Sequence, residues 1–268
     1  MKRRFTKILM MVLALTVVVG ACIGLSACND KEVITVGYTI YSPMNYEENG
    51  ELIGFDTDLA KKVFTDLGYE VVFKEIDWKS KYVDLNAGTI DCIWNGFTAN
   101  SSDDGTPRSE IVDFSYYYMK NYQAIVVKAS EIANYTDKAT SFNEKTGYIE
   151  AESAAVDYAA TLTGANVKEA AKQMDAIMQV KANAADFAVV DYLLANSIVG
   201  TGDYADLAFV PALNSDVEYY GIGFKKGSEL TAKVNAQLEK YAQDGTLAQI
   251  AATYDLSNAV ITDYADQK

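Results

Sequence analysis

The chain has no histidine among its 268 residues. That removes the commonest general base and the commonest metal ligand, and with them Ser-His-Asp and Cys-His catalysis. Cys92 stands alone in the apolar run Ile90-Asp91-Cys92-Ile93-Trp94. It is expected to behave as a small buried hydrophobe, so no disulfide framework is expected. What remains is carboxylate, guanidinium and aromatic chemistry, which suits binding. Asp191 closes the apolar run Phe187-Ala188-Val189-Val190, where a carboxylate has few structural duties beyond capping the next helix. Arg108 follows the polar stretch Ser101–Thr106. A planar fork can grip a carboxylate bidentately, and the alternative is a solvated loop arginine. Glu150-Ala151-Glu152 sets two further carboxylates ahead of Ser153. Asp103-Asp104-Gly105 lacks the full ligand spacing of an EF-hand loop, and no metal is expected there.

Elements must position these groups. Val33–Gly37 reads as a buried strand, and Asp56 as the N-cap of a helix that Gly68 stops. Within that helix Leu59, Val63 and Leu67 share one apolar face. Tyr69–Ile76 reads as a strand, Lys79–Asn86 as a short helix and Thr89–Trp94 as a strand. Asn95–Arg108 reads as a loop, and Gln123–Lys128 as a strand. The pattern then repeats: strand Gly147–Glu150, helix Ser153–Leu162, helix Met174–Asn183, strand Phe187–Asp191 and a helix from about Tyr192. A late strand, Tyr219–Phe224, precedes a helix Ser228–Gln243 that Gly245 stops. Strands alternating with helices predict an α/β chain of βαβ units and mostly parallel sheet.

The formal charge is −14, from 23 basic and 37 acidic side chains. Such a surface repels nucleic acid and anionic headgroups and favours solubility. Lys2, Arg3, Arg4 and Lys7 precede an apolar run from Ile8 to Ile23, broken by Thr16 and Gly20, and small residues lead on to Leu25-Ser26-Ala27-Cys28. This order reads as a secretory signal over residues 1–27 rather than a membrane span. Leu-Ser-Ala-Cys resembles the lipobox of bacterial lipoproteins. That resemblance implies cleavage before Cys28, a diacylglyceryl group on its sulfur and attachment to the extracytoplasmic face of a membrane. Two acyl chains anchor firmly where one does not. Cys22, after Val19-Gly20-Ala21, is a weaker candidate for the same role.

Five segments, in order, carry a wider resemblance. They are Gly54-Phe55-Asp56-Thr57-Asp58-Leu59-Ala60; Asp77-Trp78 with Leu85–Asp91; Asn95-Gly96-Phe97-Thr98 with Arg108 and Val112-Asp113-Phe114-Ser115; Ala185–Asp191; and Tyr220–Gly227. Together they resemble the family 3 extracellular solute-binding proteins, the receptors of polar amino-acid ABC importers. The resemblance implies a two-lobed periplasmic-binding-protein type II fold. Lobe 1 is expected from residues 33–125 and 219–268, lobe 2 from 126–218, with residues 28–32 as a lipidated tether and hinges at Gln123–Lys128 and Glu218–Gly223. It also implies an interlobe site in which Arg108 takes the ligand carboxylate and Asp191 its ammonium. Gly96 would supply a carbonyl and Thr98 a hydroxyl, Ser153 would help with the carboxylate from a helix start, and Tyr41 and Trp78 would form aromatic walls. Trp94 is expected in the core.

Two departures stand out. The family spaces its threonine and arginine closely, whereas nine residues separate Thr98 from Arg108, an apparent insertion around Ser101–Thr106. Glu150-Ala151-Glu152 replaces a stretch that is usually Gln or Lys, a small residue and Gly. A cleft-facing Glu150 would disfavour an acidic ligand and could pair with a cationic one. The expected protein is therefore a monomeric, lipid-anchored receptor for a polar L-amino acid, with a slight preference for cationic ones. It needs no cofactor, binds no nucleic acid, and partners an ABC permease. The alternatives are a sensory or adhesive amino-acid-binding lipoprotein and, further off, a cyclohexadienyl dehydratase-like enzyme on the same fold.

Overall fold

The computed structural model describes residues 31–267. The expected leader, Cys22, the lipidation site at Cys28 and residues 28–30 of the tether lie outside the described residues. Among the described residues no helix is long and apolar enough to cross a membrane.

Two five-stranded sheets organise the chain. The first uses β1 (Val33–Tyr38), β4 (Glu70–Glu75), β5 (Cys92–Ile93), β8 (Asp113–Phe114) and β16 (Gly223–Phe224) in the order β4-β1-β5-β16-β8. The second uses β10 (Gln123–Lys128), β11 (Thr146–Glu150), β12 (Asn166–Ala170), β13 (Phe187–Asp191) and β14 (Leu207–Phe209) in the order β12-β11-β13-β10-β14. In each sheet three strands pair in parallel, as the βαβ pattern predicts. In each, one strand runs against both neighbours: β16 in the first and β10 in the second. These are the strands with which the chain enters a sheet on arriving from the other one.

The passage is made by β9 (Met119–Asn121) and β15 (Glu218–Tyr220), which pair antiparallel as a two-stranded ribbon. The expected late strand therefore breaks in two because it changes partners, pairing with β9 up to Tyr220 and with β5 and β8 from Gly223. Gln123–Lys128 is a strand of the second sheet, and the connection precedes it at Met119–Asn121. The polar insertion forms a hairpin, β6 (Ser102–Asp103) and β7 (Thr106–Pro107). A further hairpin joins β2 (Tyr46–Glu48) and β3 (Glu51–Ile53).

Helices cover the sheets. In α1 (Phe55–Asp66), Leu59 and Val63 are fully buried one turn apart, on the face expected for them. Asp56 is not its N-cap. Gly54 holds that place, and the Asp56 carboxylate is buried and accepts the backbone N–H of Gly96 at 2.7 Å. Burial pushes this carboxyl up to about 7. α2 (Lys81–Ala87) follows a single 3₁₀ turn at Trp78–Ser80 and ends on Gly88 at φ 70°. The insertion runs straight into α3 (Arg108–Ile111). The helix expected over Ser153–Leu162 is only α4 (Ala155–Ala159), because the chain then turns through i→i+3 bonds, Thr161 N–H to Tyr158 and Leu162 N–H to Ala159. α5 (Gln173–Lys181) and α6 (Tyr192–Ile198) follow as expected. The Ser228 hydroxyl caps α7 (Glu229–Asp244), and Gly245, at φ 84°, both ends it and starts α8 (Thr246–Thr253). Cys92 is buried and unpaired, and Trp94 is buried edge-on against Phe64, so both are core.

Candidate functional site

In parallel α/β sheets the loops leaving the carboxyl ends of the strands converge beside the first strand, where the connections diverge. Both sheets direct such ends at one cavity. From the first come Trp78 after β4 and Asn95, Gly96 and Thr98 after β5, with Arg108 from the start of α3. From the second come Glu150 at the end of β11, Ser153 and Ala154 beyond it, Asp191 at the end of β13, and Gln173 from α5. The structure thus gathers Trp78, Gly96, Thr98, Arg108, Glu150, Ser153 and Asp191 in one place. Tyr41 lies one layer behind, its hydroxyl 2.7 Å from that of Tyr220. The cavity encloses about 10 Å³, room for roughly one water molecule. An amino acid therefore enters only when its walls part. A wider cleft of about 320 Å³ shares Thr98 and Ala154 with it and continues to Asp157, Tyr158 and Glu218.

Gly96 is fixed by geometry. It sits at φ 56°, and a Cβ there would lie 2.5 Å from the Tyr41 ring and 3.0 Å from that of Tyr220. Its N–H is held by Asp56. Thr98 donates its hydroxyl to Glu218 at 3.3 Å, and its carbonyl accepts Arg108 Nη1 at 3.1 Å. The Ser153 hydroxyl donates to the Glu150 carbonyl at 2.8 Å and accepts Ala155 N–H at 3.3 Å, a local turn that starts α4.

Arg108 is 1% exposed, so the inserted hairpin folds outward and leaves the guanidinium inside. The same hairpin supplies its partner. Asp103 Oδ1 accepts Arg108 Nη2 at 2.8 Å and Nε at 3.1 Å. Asp103 Oδ2 accepts the Tyr82 hydroxyl and lies 3.6 Å from Lys81 Nζ. Burial alone would raise the Asp103 carboxyl, but Arg108 and Lys81 hold it below its ordinary value. Lys81 is fully buried over the rings of Trp78 and Tyr82, and desolvation pushes its ammonium down to about 8. The lobes meet at the Glu152 carbonyl, in the left-handed region at φ 55°. It accepts Trp78 Nε1, Lys81 Nζ and Arg108 Nη2, each at 3.2 Å.

The opposite wall is acidic. Asp191 Oδ1 accepts Asn121 and Gln123 at 2.7 Å each, and its Oδ2 accepts Gln173 at 2.6 Å. The same two amides reach Glu218 at 3.1 and 3.0 Å. Burial raises Asp191 against these donors. Burial and then the nearby Asp191 charge raise Glu150 to about 8 and Glu218 to about 7. Among the described residues no group of three or more His, Cys, Asp or Glu side chains is disposed to hold a metal ion.

Lys81, Asp103, Asn121, Gln123, Gln173 and Glu218 complete the site and were not singled out for it from sequence. The amides have no motif, and their partner Asp191 lies up to 70 residues away in the chain. Asp103 carried a signal, an acid five residues before an arginine across a Gly-containing turn.

The description "Bacterial extracellular solute-binding proteins, family 3" matches residues 34–257. The arginine-binding extracellular protein ArtP of Bacillus subtilis is 26% identical over 252 residues, 88% of this chain and 95% of that one. A probable amino-acid ABC transporter-binding protein of Haemophilus influenzae is 30% identical over 227 residues, 79% of each. Among solved structures, an ancestral arginine-binding protein bound to arginine superposes with a TM-score of 0.74 at 30% identity, covering 84% of this chain and 99% of its own.

Proposed function

The chain belongs to the family 3 extracellular solute-binding proteins of bacteria, and from that membership we propose that it is the lipid-anchored receptor of an ABC importer for a polar, cationic L-amino acid. The chain around the first sheet forms one lobe and the chain from Gln123 around the second sheet the other, joined by the β9–β15 ribbon. The ligand lies between them, and Cys28 carries the anchor on the extracytoplasmic face. The observation that carries the reading is the pair of buried carboxylates Glu150 and Asp191 lining the interlobe cavity, with Glu218 in the adjoining cleft sharing the amides that hold Asp191. Burial, and for Glu150 and Glu218 then the Asp191 charge, raises all three carboxyls. A ligand with two cationic groups relieves that repulsion, and an acidic ligand worsens it. Trp78 borders the same space together with Gly96, Thr98 and Ser153.

A thermal-shift screen of the twenty amino acids tests the reading. Arginine or lysine at a hundred times its dissociation constant should stabilise the chain by about 2.7 kcal/mol. Aspartate and glutamate should give no shift, and silence from all twenty would overturn the assignment. Incorporation of a labelled fatty acid that Cys28→Ser abolishes would establish the anchor. A permease and an ATPase encoded beside this chain would favour import over sensing. Glu150, held as an acid near neutrality, also suits a proton donor. Turnover of prephenate or arogenate by the purified chain would move the reading to a dehydratase-like enzyme.

A further inference from the structure

The carboxylate of Asp56 lies behind the cavity, and its own helix gives it no task. Gly54 is the N-cap of α1, and no side chain caps that end. Asp56 is fully buried, and its Oδ2 accepts the Gly96 N–H at 2.7 Å. The Tyr118 hydroxyl and the Trp94 indole N–H face the same carboxylate and favour its charged form. Those two groups and Asp56 Oδ1 make no hydrogen bond of ordinary geometry. Among the described residues the Gly96 N–H is therefore what holds the carboxylate. The N–H and C=O of a trans peptide point opposite ways. With its N–H on Asp56, the Asn95–Gly96 peptide turns the Asn95 carbonyl away from Asp56, and Asn95 and Gly96 both line the cavity. Neighbouring contacts leave this peptide little freedom. The Asn95 side-chain amide donates to Thr39 O at 2.8 Å and to Asn45 Oδ1 at 2.7 Å, Gly96 sits at φ 56° against Tyr41 and Tyr220, and the Gly221 N–H donates to Phe97 O. A charged acceptor roughly doubles the strength of a hydrogen bond and polarises the group beyond it.

We propose that Asp56 is a positioning residue of this cavity. Without touching the ligand, its ionised carboxylate fixes and polarises the Asn95–Gly96 peptide, so that the Asn95 carbonyl meets a cationic group of the ligand. The proposal rests on the reading of this cavity as the site of a cationic amino acid. It makes affinity follow the ionisation of a group outside the cavity. Burial raises that carboxyl to about 7. The titratable groups that face it are the phenols of Tyr118, ahead of β9, and Tyr41, after β1; Trp94 and Gly96, after β5, carry none. Burial pushes both phenols well above their ordinary value, so neither changes charge near neutrality.

The experiment is calorimetric titration of arginine and of lysine into the native chain and into Asp56→Asn, at pH 8.5 and at pH 5.5. Asparagine keeps the shape and a carbonyl acceptor for the Gly96 N–H and removes the charge. At pH 8.5 the variant should bind about tenfold more weakly than the native chain. At pH 5.5 the native carboxyl is protonated too, and the gap should close to about twofold. Glu150, Asp191 and Glu218 titrate in both chains and cancel from the ratio. A gap of the same size at both pH values, or none at pH 8.5, overturns the proposal alone, since a merely structural loss does not follow the proton. Should Asp56→Asn fail to fold, the native chain decides by nuclear magnetic resonance with isotope-labelled glycine. The Gly96 amide proton should move upfield as pH falls from 8.5 to 5.5, and a stationary signal overturns the proposal. Binding of neither arginine nor lysine by the native chain overturns the ligand reading, and the proposal with it.

Discussion

The two halves of the molecule share a strand order and differ in how they treat charge. Each sheet runs second, first, third, reversed, fourth; the first sends the ends of its second and third strands to the cavity, and the second those of its first and third. At the cavity the first half's buried charges are paired: Arg108 and Lys81 stand against Asp103, which is held ionised, with the Glu152 carboxylate 3.8 Å from Lys81. In the second half they are not. Glu150 and Asp191 sit with Glu218 of the connecting ribbon among neutral amides, and all three are pushed toward their protonated forms. Similar topology therefore carries opposite electrostatic states, because the residues that decide the charge sit in loops and strand ends rather than in the sheets. Removing a charge should accordingly hurt the first half and help the second.

The largest effect is expected at Arg108. Arg108→Ala strands Asp103 in a buried setting, and breaking such a pair costs about 3–5 kcal/mol. Denaturant unfolding should show that loss, with part of it recovered in the Arg108→Ala, Asp103→Ala double variant. A cost near that of a surface substitution would break the contrast. Next is Gly96→Ala, which forces a Cβ against Tyr41 in left-handed backbone. About 2–4 kcal/mol should be lost, measurable by the same unfolding curves.

Acidity sharpens the second half. Glu150 titrates near 8 and Glu218 near 7 in the folded chain, against about 4.3 when unfolded. The folded state thus binds more protons across that window, and stability falls as pH rises from about 4.3 to 8, by up to about 1.4 kcal/mol per pH unit for each extra proton. Below the unfolded value the difference vanishes. Glu150 faces Asp191, Lys81, Asp77 and Gln173. Glu150→Gln should leave stability at pH 5 nearly unchanged and raise it at pH 8.5; a loss at pH 8.5 would contradict the contrast. The smallest effect is at the cleft rim, where Lys172 meets Glu75 at 2.7 Å with both side chains 45% exposed. Lys172→Ala should cost less than about 1 kcal/mol.

The sequence was readable where one force dominated. The apolar runs of Val33–Tyr38, Gln123–Lys128 and Phe187–Asp191 appear as strands almost residue for residue, and Ser228 and Gly245 bound their helix. It was opaque where tertiary context decided. Asn166–Ala170 is a half-exposed edge strand, polar enough to read as loop, and only its pairing with β11 orders it. Thr246–Thr253 starts on the glycine that ends its predecessor. Asp56 looked like a cap because it precedes an apolar helix, yet its carboxylate crosses 40 positions to reach Gly96. In the site, the charged and aromatic side chains were visible as types. The amides that hold Asp191 and the acid that holds Arg108 were not, because a satisfied hydrogen bond leaves no periodicity to read.

Three side chains of the first half, at positions 78, 81 and 108, meet on one oxygen of the second, and that oxygen belongs to the main chain of residue 152. Any amino acid placed there brings the same carbonyl acceptor, so a substitution at 152 removes only the carboxylate 3.8 Å from Lys81 Nζ and leaves the three hydrogen bonds. Shape is what can spoil those bonds. Glycine, asparagine and aspartate tolerate the left-handed turn, whereas valine and isoleucine resist it. A survey of variants at 152 would therefore sort first by backbone preference and second by loss of the carboxylate beside Lys81, the signature of a joint made chiefly from peptide.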